Sequence, residues 1–329
     1  MTLTDHRGAG TWQLSPATAH DHPLIADFLA TTEGLGGRKF AADSRDVAEQ
    51  LEGVFPGAVT VVRDDDGRIR GYAALHQPHG LQPEIAADIV LDPTVPADLA
   101  DEVVDGVVAR FFAESAAIPG SFLRAFIGDG HTNVIDALAR RGATREGQFI
   151  RTRKPLDGED PAALAAASRD GITVVRWPEV IGRGLGEQVR RLQYDTFLEH
   201  FGNMSKTLEL WQHHIHSRLF APDFSIAALD TAGEVVGYVL GSVYTAGTGE
   251  AAERSAHTDY IGVRRDQRRN GIAELLLRKI WLAALSRGLT LASLGTDIQN
   301  RSNAHLLYRR LGYVAVEFQS AYRIEGFAQ

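Results

Sequence analysis

The stretch V-R-R-D-Q-R-R-N-G-I-A, Val263 to Ala273, decides how the rest of the chain is read. A strand-like apolar run, Tyr260, Ile261, Gly262 and Val263, leads into a short loop dense in arginine. Gly271 follows, and an amphipathic helix is expected from Ile272. The first amides of a helix have no partner within it and sit at the positive end of the aligned peptide dipoles, so an anion docks there readily. Gly271 lets the main chain approach a ligand and tolerates a left-handed backbone. Two arginine pairs, Arg264 with Arg265 and Arg268 with Arg269, add positive charge. By themselves these residues fit either a solvated basic turn that caps a helix or a phosphate cradle. The pattern is neither G-x-x-x-x-G-K-[ST] nor G-x-G-x-x-G.

Working outward, Glu274 to Leu285 places Leu275, Leu276, Ile280, Trp281 and Leu285 at near-helical spacing, with Arg278 and Lys279 facing away. Arg287 and Gly288 supply the cation and glycine that end a helix. A strand is expected over Leu289 to Gly295, followed by T-D-I-Q-N-R-S-N-A-H-L-L-Y-R-R-L-G-Y from Thr296 to Tyr313. The first motif resembles the pyrophosphate loop of the GNAT acyltransferases, Q/R-x-x-G-x-G/A, filled by Gln267, Arg268, Arg269, Asn270, Gly271, Ile272 and Ala273. The second is similar to a signature of the tandem GNAT branch that includes mycothiol synthase, matched by Thr296, Asn300, Asn303, Tyr308, Leu311, Gly312 and Tyr313. The likeness is strongest from Thr258 to Tyr313 and weak before Pro155.

The resemblance implies an α/β (α+β) protein of tandem GNAT modules, each a mixed, mostly antiparallel sheet flanked by helices, with a splayed parallel strand pair at an acetyl-CoA site. It implies direct acetyl transfer to a primary amine of a small molecule in a ternary complex. The cofactor is then expected along Ile261, Gly262, Val263 and Arg264, the loop from Gln267 to Ala273, and Asn300, Asn303 and Tyr308. A backbone N–H near Val263 would hold the thioester carbonyl, and Tyr308 is the candidate general acid, its hydroxyl reference pKa near ~10 suiting donation at neutral pH. Strand alternation puts His257, Asp259, Ile261 and Val263 on one face. His257 and Asp259 are therefore the candidate bases, His257 because imidazole titrates near ~6.5. On local chemistry alone Asn300 and Asn303 are turn residues and helix N-caps.

The chain also repeats itself. Asp64 to Leu75 parallels Leu229 to Leu240, Ala87 to Pro93 parallels Thr258 to Arg264, and Ala139 to Ala143 parallels Arg309 to Tyr313. The order and spacing recur, with 71 positions from Gly71 to Gly142 and 75 from Gly237 to Gly312. We expect a degenerate first module over 1–155, a linker over 156–171 and a catalytic module over 172–329. In the first copy the phosphate loop is replaced by L-D-P-T-V-P-A-D-L, Leu91 to Leu99; proline removes amide donors and aspartate repels phosphate. The tyrosine position is lost there too, as Ile135, Asp136, Ala137 and Leu138 precede Ala139.

The acceptor side is expected on two amphipathic segments, Arg190 to Gly202 and Leu208 to Leu219, the second with a stripe of Leu208, Trp211, Ile215 and Leu219. Asp195, Glu199 and His200 could attract a cationic amine. His213, His214 and His216 lack the i, i+4 spacing with a carboxylate that a metal site uses, so no metal is expected. Gly34 to Lys39 is glycine-rich and basic but follows a helical stretch, which fits a loop better than a phosphate site.

The chain has 329 residues, 44% apolar and 23% charged, enough for two ordinary globular domains. No cysteine is present, which excludes disulfides, thiolate metal sites and an acyl-cysteine relay. A net charge of −8 argues against general nucleic-acid binding. The opening residues have no apolar core segment and no apolar stretch reaches membrane-spanning length, so a cytoplasmic protein is expected, as monomer or homodimer. A cysteinyl amino sugar, an aminated natural product in self-resistance, or a non-catalytic acyl-CoA sensor are the alternatives left open.

Overall fold

A computed structural model describes residues 11–31, 43–198, 200, 202, 204–246, 253–298 and 303–327. Glu199, Asn300 and the segment Gly34 to Lys39 lie outside the described residues. The chain divides into two compact units: Met1–Gln148 with Ala246–Ala252 and Phe318–Gln329, and Phe149–Thr245 with Glu253–Glu317.

In the first unit the strands run β1 (Gln13–Pro16), β2 (Val54–Arg63), β3 (Ile69–His76), β4 (Glu84–Leu91) and β5 (Phe122–Gly128), antiparallel except for β4 and β5. The outer position beside β5 is taken by Gln319–Glu325 of the last strand, antiparallel. Helices α1 (His22–Thr31) and α2 (Ser44–Leu51) precede β2, α3 (Ala97–Ser115) joins the parallel pair, and α4 (Thr132–Arg140) follows it. Two apolar clusters result, one under α1 and α2 around Ile25, Phe28 and Val61, the other under α3 and α4 around Ile85, Val104, Phe111 and Leu123.

The second unit repeats this order. Its strands are β7 (Thr173–Arg176), β8 (Ile226–Leu229), β9 (Val235–Ala246), β10 (Glu253–Val263) and β11 (Leu291–Asp297), with β10 and β11 parallel. The outer position is filled by residues 149–155 of β6 (Thr144–Pro155), antiparallel to β11. Helices α6 (Trp177–Gly182), α7 (Gly186–Phe197) and α8 (Leu208–His216) precede β8; α9 (Ile272–Ser286) joins the parallel pair and α10 (Ala304–Arg310) follows. One cluster under α6 to α8 gathers Trp177, Val189, Trp211 and Tyr238; the other, under α9 and α10, gathers Ile272, Leu276, Trp281 and Tyr308. This is the expected α/β fold of two modules with mostly antiparallel mixed sheets.

The repetition reaches single hydrogen bonds. In the turn before β3, Asp64 Oδ1 accepts from the amides of Asp66 and Arg68 at 3.1 and 2.9 Å; before β9, Asp230 Oδ1 accepts from Ala232 and Glu234 at 3.0 and 3.0 Å. Gly67 and Gly233 supply the left-handed residue of each turn, at φ 73° and 82°. The helices that follow the two parallel pairs close alike: the Ala143 amide bonds the Leu138 carbonyl at 3.1 Å, and the Tyr313 amide bonds that of Tyr308 at 3.0 Å.

The expected boundaries need correction in two places. Residues 156–171 are part of the second unit, because Leu156 and Leu164 are fully buried in the cluster under α9. There Pro161–Ala166 forms α5, and Lys279 Nζ donates to the carbonyls of Leu164 and Ala165 at 3.3 and 2.7 Å instead of facing solvent. The last strand, β12 (Val314–Glu325), does not stay with the second module: Phe318 onward belongs to the first unit. In the strand that closes the second unit the buried residues are Thr152 and Lys154 rather than an apolar face, so this pairing is invisible in local apolar patterning.

Candidate active site

β10 pairs with β11 only from Ala256 to Thr258, opposite Ala292 to Leu294. Both strands continue beyond that register, to Val263 and Asp297, so the backbone from Asp259 onward parts from β11. β9 packs tightly against this region. A methyl group at Gly241 would come within 2.8 Å of the His257 carbonyl, and one at Gly262 within 2.5 Å of Tyr238 Cε1 and 2.6 Å of Thr196 Oγ1. Gly262 is thus required by the approach of β9 and α7, apart from any ligand.

After Val263 the chain makes one short 3₁₀ turn, Arg265–Gln267, and enters α9 through Arg269 and Gly271, both left-handed at φ 66° and 76°. No side chain caps α9 at Gly271. The loop arginines are not equivalent: Arg264 pairs with Asp266 at 2.8 Å and lies 3.6 Å from Asp230, and Arg268 Nε donates to the Val263 carbonyl at 3.1 Å. Arg264 is therefore tied down rather than mobile. Ile272 is 2% exposed in the core, and Ile261 and Val263 pack partly buried against the same cluster, so these three offer a ligand main chain more than side chain.

The structure separates the two expected bases. His257 is buried, and its Nδ1 bonds Ser293 Oγ on β11 at 2.8 Å; Ser293 in turn bonds Ser255 Oγ at 2.7 Å. Burial, then the nearby Arg151 guanidinium, pulls the His257 pKa down to about 3, so the imidazole is neutral at physiological pH. Asp259 instead accepts from Ser242 Oγ of β9 at 2.8 Å. Burial pushes its carboxyl up to about 7, against the opposing effects of the Ser242 bond and the Lys206 charge.

A third group, His214 of α8, joins Asp259. Its Nε2 is buried without a hydrogen-bond partner and faces Asp259 Oδ2 across 3.9 Å. Burial, with Lys206 and His213 adding to it, lowers its pKa to about 3. The His214 ring stands edge-on to Tyr260 and Phe220, with centroids 5.3 and 5.7 Å apart, while Lys206 Nζ lies 5.0 Å from the Tyr260 ring centre. No local motif nominates Ser242, His214 or Lys206; the duplicated Asp in A-D-I and T-D-Y marks Asp259 alone. In the first unit the matching Asp88 bonds His76 Nε2 at 2.8 Å, again across to the preceding strand.

Tyr308 is buried in α10, its ring 6.0 Å from that of Tyr313, and burial raises its hydroxyl pKa. Asn303 stands at the N-cap of α10 at φ 52°, the position expected of it, without a side-chain capping bond. On the acceptor helices, Trp211 is buried at 3%, whereas Leu208 is 58% exposed and leaves the expected stripe. His213 and His216 are exposed, and His200 stacks near Phe197 at 5.0 Å.

In the first unit the loop after β4 is self-contained. Asp92 Oδ1 accepts from the Thr94 amide and hydroxyl at 2.9 and 2.5 Å, and Pro96 stands at the N-cap of α3. A cavity of about 240 Å³ there is lined by Asp92, Pro93, Val95, His131 and Thr132.

Residues 186–313 match the model of the acetyltransferase (GNAT) family. The match spans 128 of the chain's 329 residues and marks an enzyme of the acyltransferase class; the family it matches uses acyl-CoA. Its whole length is similar in fold to a GCN5-related N-acetyltransferase from Sphaerobacter thermophilus, at 22% identity, covering 97% of this chain and 98% of that one, with a TM-score of 0.70. A tandem GNAT protein from the clavulanic acid biosynthesis pathway follows at 18% identity, 97% and 100% coverage and 0.65. N-myristoyltransferase of Saccharomyces cerevisiae, solved with myristoyl-CoA, aligns at 11% identity, 100% and 81% coverage and 0.59. At these identities the likeness is one of fold. No curated protein matches the chain. Among the described residues no helix is long and apolar enough to cross a membrane.

Proposed function

We propose that the GNAT domain transfers an acetyl group from acetyl-CoA to a primary amine of a small molecule, directly and within a ternary complex. The observation that carries this reading is the facing pair of Asp259 Oδ2 and the unpartnered His214 Nε2, 3.9 Å apart. A buried nitrogen acceptor without a donor is costly. An amine lodged between the two would donate to both at once. His214, held neutral by burial, accepts at Nε2 and keeps the amine oriented; Asp259 takes its proton, having a pKa near the working pH. His257 is left to position β10 against β11 through Ser293.

The residues after β10 fit the cofactor. The first turn of α9 has no side-chain cap, its entry glycine is left-handed, and Arg265 and Arg269 are exposed beside it. The main chain from Gln267 to Ala273 would hold the diphosphate, the parted edge at Ile261 to Val263 the pantetheine arm, and Asn300 and Asn303 are assigned to the same arm. When bound, acetyl-CoA supplies an acyl group activated as a thioester. Tyr308 is the proposed proton donor to the departing sulfur, its raised pKa keeping the hydroxyl protonated. With no cysteine in the chain, an acyl-cysteine relay has no residue to use. We assign no cofactor to the first unit, where Asp92 bonds its own turn in place of a ligand and Leu138 stands where Tyr308 does.

Thiol release from acetyl-CoA, measured with a panel of small amines, tests the reading. Amine-dependent release is expected. Cofactor binding without release for any amine would replace the enzyme with an acyl-CoA sensor.

A further inference from the structure

Arg169 lies outside the stretch that matches the GNAT family, yet its guanidinium rests on the first turn of α9. A methyl group built on Gly271 would clash with Arg169 Nε and come within 2.9 Å of Nη2 and 3.1 Å of Cζ. The segment that carries it is fixed from both sides. Upstream, Leu164 of α5 is fully buried and the last carbonyls of α5 are bonded by Lys279 of α9. Downstream, Arg169 forms an isolated antiparallel bridge with Ile172, whose amide donates to the Arg169 carbonyl at 3.1 Å.

This placement is electrostatically unfavourable as it stands. A cation is stabilising at a helix C-terminus and destabilising at the N-terminus, where the dipole is positive. Arg269 and Arg268 sit in the same entry loop. The guanidinium of Arg169 has a single hydrogen bond, from Nη1 to the Ser168 carbonyl at 2.9 Å, and no ion pair among the described residues. The acidic residue in the first turn of α9, Glu274, is turned to Arg278 and Arg310, at 3.0 and 3.5 Å. Glu274 is thus committed elsewhere, while a cation is held over the first turn of α9 by a buried anchor. An anion bound there removes the conflict, because it meets the amides, the dipole and a guanidinium together.

We propose that Arg169 is a binding residue for a phosphate of acyl-CoA, so that the segment between α5 and β7, outside the stretch that matches the family, completes the cofactor site. The inference rests on the GNAT domain being the acyl-CoA site. Calorimetry of the full chain with coenzyme A and with 3′-dephospho-coenzyme A tests it, comparing the natural protein, Arg169→Ala, Arg169→Lys, and Arg183→Ala as a control for general charge. Arg183 is ion-paired with Glu179 at the end of α6. Arg169→Ala should bind coenzyme A about three- to tenfold more weakly at low salt, the range for one exposed charge-assisted contact. The gap should close as salt rises. Arg169→Lys should fall between, and Arg183→Ala should match the natural protein. A loss with both ligands assigns Arg169 to the diphosphate, and a loss with coenzyme A alone to the 3′-phosphate; either upholds the proposal. Equal affinity of Arg169→Ala and the natural protein overturns it and leaves the site intact. If the natural protein binds neither ligand, the reading of the domain itself falls, and the inference with it.

Discussion

Burial gives Asp259, the proposed proton acceptor, a pKa suited to neutral pH. Its folded-state pKa, about 7, exceeds the reference 3.8, so between those values the folded chain holds a proton that the unfolded chain has lost. Stability therefore falls as pH rises from about 4 to 7 and stays lowered above. His257 and His214 act oppositely: folded near 3 against a reference of 6.5, they add stability as pH rises through that window and lose it in acid. Asp259→Asn should abolish acetyl transfer yet raise stability at pH 8 by on the order of 1–3 kcal/mol, a gain that vanishes toward pH 4. Melting curves at the two pH values check this; an unchanged or lower melting temperature at pH 8 would contradict a desolvated carboxylate. In the natural enzyme kcat/KM for the amine should climb through a pKa near 7. Tyr308→Phe should lower kcat by about 10²-fold, far more than it weakens coenzyme A binding, separable by turnover assays and calorimetry. Sequence alternation could nominate His257 and Asp259 but not rank them. Ranking needed Ser293 beside one, Ser242 and His214 beside the other, and the loss of water around both.

Among elements, the helix after the arginine loop was the most legible. Its start at Ile272 and its end at Ser286, closed by Arg287 and Gly288, follow from glycine placement and apolar spacing. Gly271 has two reasons to be glycine, a left-handed φ of 76° and the guanidinium of Arg169 against its Cα. Gly271→Ala should cost about 1 kcal/mol for backbone strain and also weaken coenzyme A binding by displacing Arg169. Thermal melting and calorimetry give the two readouts, and a variant with natural affinity would refute the close approach. Other faces were misread for one reason. Lys279 meets the carbonyls of α5, and Leu208 projects outward, because neighbours distant in sequence decide what a helix face contacts.

For the molecule as a whole, exchange of the outer strands makes the two sequence repeats unequal to the two folded units. Residues 149–155 close the sheet of the second unit beside β11, and 319–325 close that of the first beside β5. A fragment cut at the repeat boundary, 172–329, would leave β11 with an open edge and remove Leu156 and Leu164 from its core. It should aggregate or melt without cooperativity, whereas 149–329 should retain more structure; circular dichroism melts compare them, and equal cooperative melting would refute the exchange. The sequence by itself determined the α/β class, the duplication, the arginine loop with the helix that follows it, and the prolines and aspartates that stand in that loop's place in the first copy. These are encoded in local turn chemistry and periodicity, which need no distant partner. Only the tertiary structure decided which strand closes each sheet, which carboxylate is desolvated, and that His214 faces Asp259 and Arg169 faces Gly271. Those outcomes depend on burial and on charges meeting through space, quantities that a linear pattern does not contain.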